Sequence, residues 1–148
     1  MASTYELVKD FKKKYPNTIG WRLKKHCAII DKNLNPNEKV LFAFAAQNNS
    51  SHDAIFDTAV LALTTDRLMI AQDRILVGYK LNTITPDLYN DMRIYRGLLF
   101  GKITIDTVKE VVTISNLSKS SLDDIETNIS QFMMKEKLKY KDRIVWKS

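Results

Sequence analysis

"LALTTDRLMIAQDRILVGYKL", residues 61–81, decides how the rest of the chain is to be read. Apolar stretches alternate in it with two short polar connections, Thr65-Asp66 and Asp73-Arg74. Short apolar runs bounded by turn formers signal strands. The stretch, with its flanks, predicts three strands, at about 57–64, 67–72 and 75–84.

The same rhythm extends in both directions. Upstream, "KVLFAFAAQ" (39–47) alternates Val40, Phe42 and Phe44 against Leu41, Ala43 and Ala45. Downstream, "DLYNDMRIYR" (87–96), "LFGKITID" (99–106) and "KEVVTIS" (109–115) add three more strands. In "KITID", Ile103 and Ile105 face inward and Lys102, Thr104 and Asp106 outward. Seven short strands at regular spacing predict an antiparallel sandwich or barrel.

Helical periodicity governs the two ends. In "STYELVKDFKKKY", Ser3 or Thr4 caps a helix whose apolar side is Leu7, Val8, Phe11 and Tyr15. Pro16 ends it, because the residue before a proline avoids the helical region. A second helix is expected from Asn17 or Thr18, with Ile19, Leu23, Cys27, Ile30 and Leu34 on one seam that must dock on a core. "NLNPNEK" breaks it at Pro36. After the strands, "SKSSLDDIETNISQFMMKEKLKY" reads as a helix capped by Ser120 or Ser121, with Asp123-Asp124 in its first turn and Leu122, Ile125, Ile129, Phe132 and Met133 along its core face. The expected division is a helical extension (1–35), a strand-and-helix domain (36–139) and a C-terminal tail (140–148).

Seven antiparallel strands followed by one amphipathic helix is the order of a pleckstrin-homology (PH) domain. The chain resembles the bacterial PH-like domains over roughly residues 36–138, a domain-sized unit. "LTTDRL" (63–68) is similar to that family's L-T-x-x-R-L hairpin. "YKLNTI" (79–84) is similar to its Y-P-L-x-x-I strand end, with Lys80 where proline is common. "GLLFGKITIDT" (97–107) looks like its glycine-turn-glycine strand pair. The resemblance implies an α+β fold: a partly open, seven-stranded PH-like barrel capped by the C-terminal helix and preceded by the helical extension.

Composition bounds the function. The chain has 148 residues, 45% of them hydrophobic, enough for one domain with a real core. Its apolar runs are too short to span a bilayer, and the start lacks the apolar run of a secretory signal. A single cysteine, Cys27, excludes an internal disulfide and fits a reducing, cytoplasmic setting. The net charge of +6 sits at the ends, residues 1–30 and 135–148, while the middle is mildly acidic.

No catalytic, metal or cofactor motif stands out, so neither an enzyme nor a small-molecule substrate is expected. His26 and Cys27 are adjacent helical residues that point apart, and Cys27 lies on the seam, where a packed thiol is expected. In relatives of the fold that bind lipid head groups, the resemblance implies a cationic loop between the first two strands. Here "AAQNNSSHDAIFD" carries no Lys or Arg, and none occurs between Lys39 and Arg67, which leaves phosphate recognition unsupported. The expectation is an interaction module acting through protein–protein contact or homo-oligomerisation. Its candidate apolar contacts are Trp21, Ile55, Phe56, Ile144, Val145 and Trp146. The alternative is an anionic membrane or nucleic acid held by Lys12, Lys13, Lys14, Arg22, Lys24, Lys25, Lys135, Lys137, Lys139, Lys141 and Arg143, should both ends form one patch.

Overall fold

A computed structural model describes residues 3–18, 20–48, 58–74 and 78–147, with side chains described as far as Lys139. Two helices come first, α1 (Thr4–Lys14) and α2 (Leu23–Asn33). Seven strands follow: β1 (Val40–Asn48), β2 (Thr58–Thr64), β3 (Leu68–Asp73), β4 (Tyr79–Ile84), β5 (Tyr89–Arg96), β6 (Phe100–Thr107) and β7 (Val111–Ser118). A 3-10 turn (Lys119–Ser121) leads into α3 (Leu122–Lys147). The strands form one antiparallel sheet in the order β4-β3-β2-β1-β7-β6-β5. It curls into a half-barrel. The β1–β7 pairing that joins its two halves is limited to Gln47–Ser115 and Asn48–Ile114, so the start of β1 diverges from β7.

The concave side holds the main core. Phe44, Leu61, Leu63, Leu68 and Ile70 from one half meet Ile103, Ile105, Val112 and Ile114 from the other. α3 closes this core with Leu122, Ile125, Ile129 and Met133, all fully buried, at the three- and four-residue spacing that keeps side chains on one helix face. Its entry is fixed by Gly101, where a Cβ would lie 2.5 Å from a Leu122 methyl. The expected serine cap is replaced by the 3-10 turn, in which the Ser121 hydroxyl donates to the Ser118 carbonyl at 2.7 Å. Phe132, expected in the core, is only partly buried at its margin. The segment expected as a tail continues the helix to Lys147, since no Gly or Pro interrupts it.

The convex side of β1–β3 is equally dry. Ala43, Ala45, Val60, Ala62, Met69 and Ala71 form a second core with Val8 of α1 and Cys27, Ile29 and Ile30 of α2. Four alanines in that set let the helices approach the sheet closely. A strand covered on both faces loses its alternation, which is why every residue of β2 is buried. α1 starts at Ser3 with a capping box to Glu6 and reaches round to the main core. There Phe11 stacks within 5.3 Å of Phe44 and 5.7 Å of Phe42, beside the divergence of β1 from β7. The helical extension therefore packs across the sheet, which supplies the core that the α2 seam was expected to dock on. α2 begins at Leu23, later than expected, because Arg22 adopts a left-handed conformation (φ 58°) and the chain at Gly20 passes against Ala45. Ile19 lies outside the described residues.

Ile129→Ala, which empties a fully buried site, is expected to cost about 2–5 kcal/mol in a denaturant melt. Phe132→Ala should cost less, reversing what ring size alone would give. Equal losses would mean that α3 is seated differently.

Candidate functional site

The side chains best suited to chemistry are engaged within the fold. His26 is buried between α2 and the sheet, where its Nδ1 accepts the Asp73 backbone N–H at 2.8 Å. Burial lowers its pKa and overrides the opposing pull of Asp73, so the ring is neutral and carries its proton on Nε2, 3.5 Å from the Thr58 hydroxyl. Cys27 is buried in the second core, and desolvation, aided by Asp31, pushes its thiol up to about 12. A thiol so raised is not a nucleophile at neutral pH. It packs, as its place on the helix seam implied.

A polar cluster that sequence reasoning did not single out ties the extension to the sheet. Glu38, in the link between α2 and β1, has a fully buried carboxylate. Its oxygens accept from Arg67 Nε and Nη2 at 3.0 Å each, from the Thr64 hydroxyl at 2.5 Å and from the Asn35 N–H at 2.9 Å. Arg67 Nη2 also donates to the Asn33 carbonyl at the end of α2, at 2.8 Å. Burial alone would raise the Glu38 carboxyl, but these donors hold it below the usual carboxylate range. Thr64 and Arg67 are two of the four polar residues of "LTTDRL", so that hairpin supplies an anchor. The nearby cleft of about 410 Å³ is lined by Asn35, Thr65, Asp66, Arg67, Thr83, Thr85, Pro86, Glu136 and Lys139, a mixed-charge wall with no single ligand preference.

The described cations of the proposed basic patch fall into separate groups. Lys12, Lys13 and Lys14 are exposed at the end of α1. Lys14 donates to Asp124 at 2.9 Å, and the Tyr15 hydroxyl bonds to the same carboxylate, so α1 ends at the start of α3. Lys135, Lys137 and Lys139 lie further along α3, and 13 residues from Asp124 to Lys137 span about 20 Å of helix. Lys137 donates to the Tyr89 carbonyl and Lys139 pairs with Glu136 at 2.9 Å. Arg22 pairs with Asp73, Lys24 lies 5.5 Å from the Tyr5 ring centre, and Lys25 is exposed. Trp21 is 44% exposed on the approach to α2. Ile55 and Phe56, with the first inter-strand loop, lie outside the described residues, as do the side chains of Lys141, Arg143, Ile144, Val145 and Trp146.

Among the described residues the four most exposed large apolar side chains lie on β5–β7 and their turns, while Trp21, Leu41, Tyr79, Met134 and Leu138 are exposed elsewhere. Among the described residues no helix covers the convex face of this half-sheet in the way α1 and α2 cover β1–β3. Tyr95, Val108 and Val111 are more than half exposed there, and Leu98 at the β5–β6 turn is 92% exposed with Leu99 beside it. Opposite residues in the ladder share a face, which puts Tyr95 beside Lys102, Arg93 beside Thr104, and Asp91 beside Asp106 and Val111. The "RGLLFG" turn was legible as a hairpin. That its leucines remain uncovered was not.

Arg67→Ala leaves the buried carboxylate unpaired and is expected to cost about 3–5 kcal/mol. The two depressed pKa values separate with pH. Glu38 and His26 each bind fewer protons folded than unfolded, so each contributes stability above its unfolded pKa that is lost on acidification. The His26 contribution should fade as pH falls below about 6.5, and that of Glu38 below about 4.3. In thermal melts, His26→Gln should flatten the upper window alone, and Glu38→Gln the lower alone. Melts of His26→Gln that retain the wild-type slope between pH 7 and 5.5 would contradict the buried neutral ring.

Comparison with known proteins gives this arrangement a family. The solved pleckstrin homology domain from Shewanella amazonensis SB2B matches with a TM-score of 0.54 at 11% identity, over 84% of this chain and 98% of that one. At that identity the likeness speaks for the fold. A search of curated proteins found no match. The family model described as "Bacterial PH domain" matches residues 34–131, from the last turns before β1 into the first part of α3. The chain belongs to the bacterial PH domain family.

Proposed function

We propose that this protein is a non-enzymatic interaction module that docks another protein surface on the bare convex face of β5–β7, in a cytoplasmic setting. PH-like domains are in general non-catalytic modules, which gives the reading its background. The observation that carries it is the unequal covering of one sheet. Over β1–β3 the outward Ala43, Ala45, Val60, Ala62, Met69 and Ala71 are sealed by α1 and α2, with Leu41 at the start of β1 half exposed, whereas over β5–β7 Tyr95, Val108 and Val111 stay exposed beside polar neighbours. An apolar surface rimmed by charge is the usual form of a docking site.

Strand addition to the β5 edge has less support, because the Tyr89 carbonyl is occupied by Lys137 and the Met92 N–H by the Asp91 carboxylate, at 2.8 Å. Charged groups that occupy an edge discourage further pairing. The membrane or nucleic-acid alternative also has less support, since Lys14, Arg22, Lys137 and Lys139 have partners within the chain.

A photo-crosslinking residue placed at Tyr95 in cells is expected to yield a discrete protein adduct, and one at the exposed Thr127 of α3 is not. Equal labelling from both sites, or none from Tyr95, would refute the docking face.

A further inference from the structure

We infer that the outer edge of β4 takes up an extended acidic segment of another protein as an added strand. This edge lies at the opposite end of the strand order from the docking face and is a second surface, independent of it. β4 ends the sheet and pairs only with β3. The alternation of hydrogen bonds fixes which of its backbone groups are spare. The Arg74 N–H donates to the Gly78 carbonyl at 3.1 Å, so bonded pairs recur at Gln72–Lys80, Ile70–Asn82 and Leu68–Ile84. The β2–β3 ladder agrees: the Thr64 N–H donates to the Arg67 carbonyl at 2.8 Å, which turns Met69 and Ala71 toward β2. The N–H and C=O groups of Tyr79, Leu81 and Thr83 therefore point away from the sheet, and among the described residues none pairs with them. Such a row is a template for a further strand. Thr83, at its far end, borders the open cleft described above.

The charges beside this edge decide what it accepts. Ile84 belongs to the main core and Leu81 packs on the second, so Lys80 stands on the concave side and Tyr79 on the convex side. On the convex side Lys32 of α2 lies 4.5 Å from the Tyr79 ring centre. Arg74 is exposed where β3 ends. Among the described residues none of these three cations has an acidic partner. The nearby acids are already engaged: Asp73 with Arg22, Asp31 with the Thr4 hydroxyl at 2.6 Å, and Glu110 with the Asn82 amide at 2.7 Å.

Cations along an edge usually prevent pairing between copies. A second β4 would bring the same unmatched cations with it, and a basic strand would be repelled likewise. An acidic strand is attracted from both faces, by Lys80 on one and by Lys32 on the other. The charges that exclude self-pairing thus select the partner.

The test is amide hydrogen exchange on the full chain. The acidic probe is a short peptide of alternating glutamate and valine, and its lysine–valine counterpart is the comparison. A dissociation constant of about 0.1 mM, with probe at about 1 mM, slows exchange roughly tenfold. That slowing is expected at Leu81 and Thr83 with the acidic probe. Lys80 and Asn82, already bonded to β3, should not change, and the lysine probe should protect neither Leu81 nor Thr83. Lys32→Glu combined with Lys80→Glu should exchange the preference, losing the acidic probe and gaining the lysine one at the same two amides. Misfolding cannot produce that gain. Lys119→Glu, the same charge change beside α3, should bind the acidic probe as the wild type does. Protection by neither probe, by both equally, or unaltered in the double variant would overturn the proposal. So would Leu81 and Thr83 amides that are slow in the free chain and quicken on dilution, since a second copy would then hold the edge. None of these outcomes bears on the Tyr95 adduct, so the edge and the docking face stand or fall separately.

Discussion

Glu38 is the residue on which the architecture turns. A carboxylate withdrawn from water is costly unless its lone pairs are met, and this one is met by Arg67, Thr64 and Asn35 together. Those donors come from different places: Thr64 and Arg67 from the β2–β3 hairpin and Asn35 from the start of the α2–β1 connection, with Arg67 holding α2 itself through the Asn33 carbonyl. The cluster thus fixes where α2 stops, where β1 starts and how both stand against the hairpin. His26 repeats the device at the other end of α2, accepting the N–H of Asp73 where β3 ends.

Between these two anchors, small residues do the fitting. Alanines at 43, 45, 62 and 71 keep the convex surface of β1–β3 low, so that α1 and α2 lie flat on it. On the concave side the same strands carry Phe44, Leu61, Leu63 and Ile70, which fill the barrel. Side-chain size therefore separates the two faces where hydrophobicity does not. β5–β7 follow the other pattern, with Ile103, Ile105, Val112 and Ile114 inward and a mixed, charged surface outward. One continuous sheet thus has a part whose outer face α1 and α2 cover and a part whose outer face they leave open.

Much of this was legible in the residues. Period-two alternation, with turns at Thr65-Asp66 and Asp73-Arg74, placed the strands, and the spacing of Leu122, Ile125, Ile129 and Met133 placed α3. The unbroken apolar run "AVLAL" in β2 was itself a sign of burial on both faces, though it does not say what covers the outer one. Glu38 was not legible as an anchor, because its partners Thr64 and Arg67 lie 26 and 29 residues away and each looks like an ordinary turn or linker residue. The late start of α2 follows from tertiary contact at Gly20, against which local capping signals at Asn17 and Thr18 have no force. Exposure of Leu98 and Leu99 was equally hidden, since a sequence pattern says that residues are apolar and not that neighbours leave them uncovered.

The position of α1 and α2 at the head of the chain has a consequence for synthesis. They leave the ribosome before any strand they rest on, and 35 residues separate the end of α2 at Asn33 from the start of β3 at Leu68. At about 5–20 residues per second, that interval is roughly two to seven seconds. Helices of 11 residues are marginal in isolation, so during that interval Val8, Cys27, Ile29 and Ile30 have no surface to rest on. These seams gain their cover only when β1–β3 are available together, and the Arg67–Glu38 pair can close only from that point on.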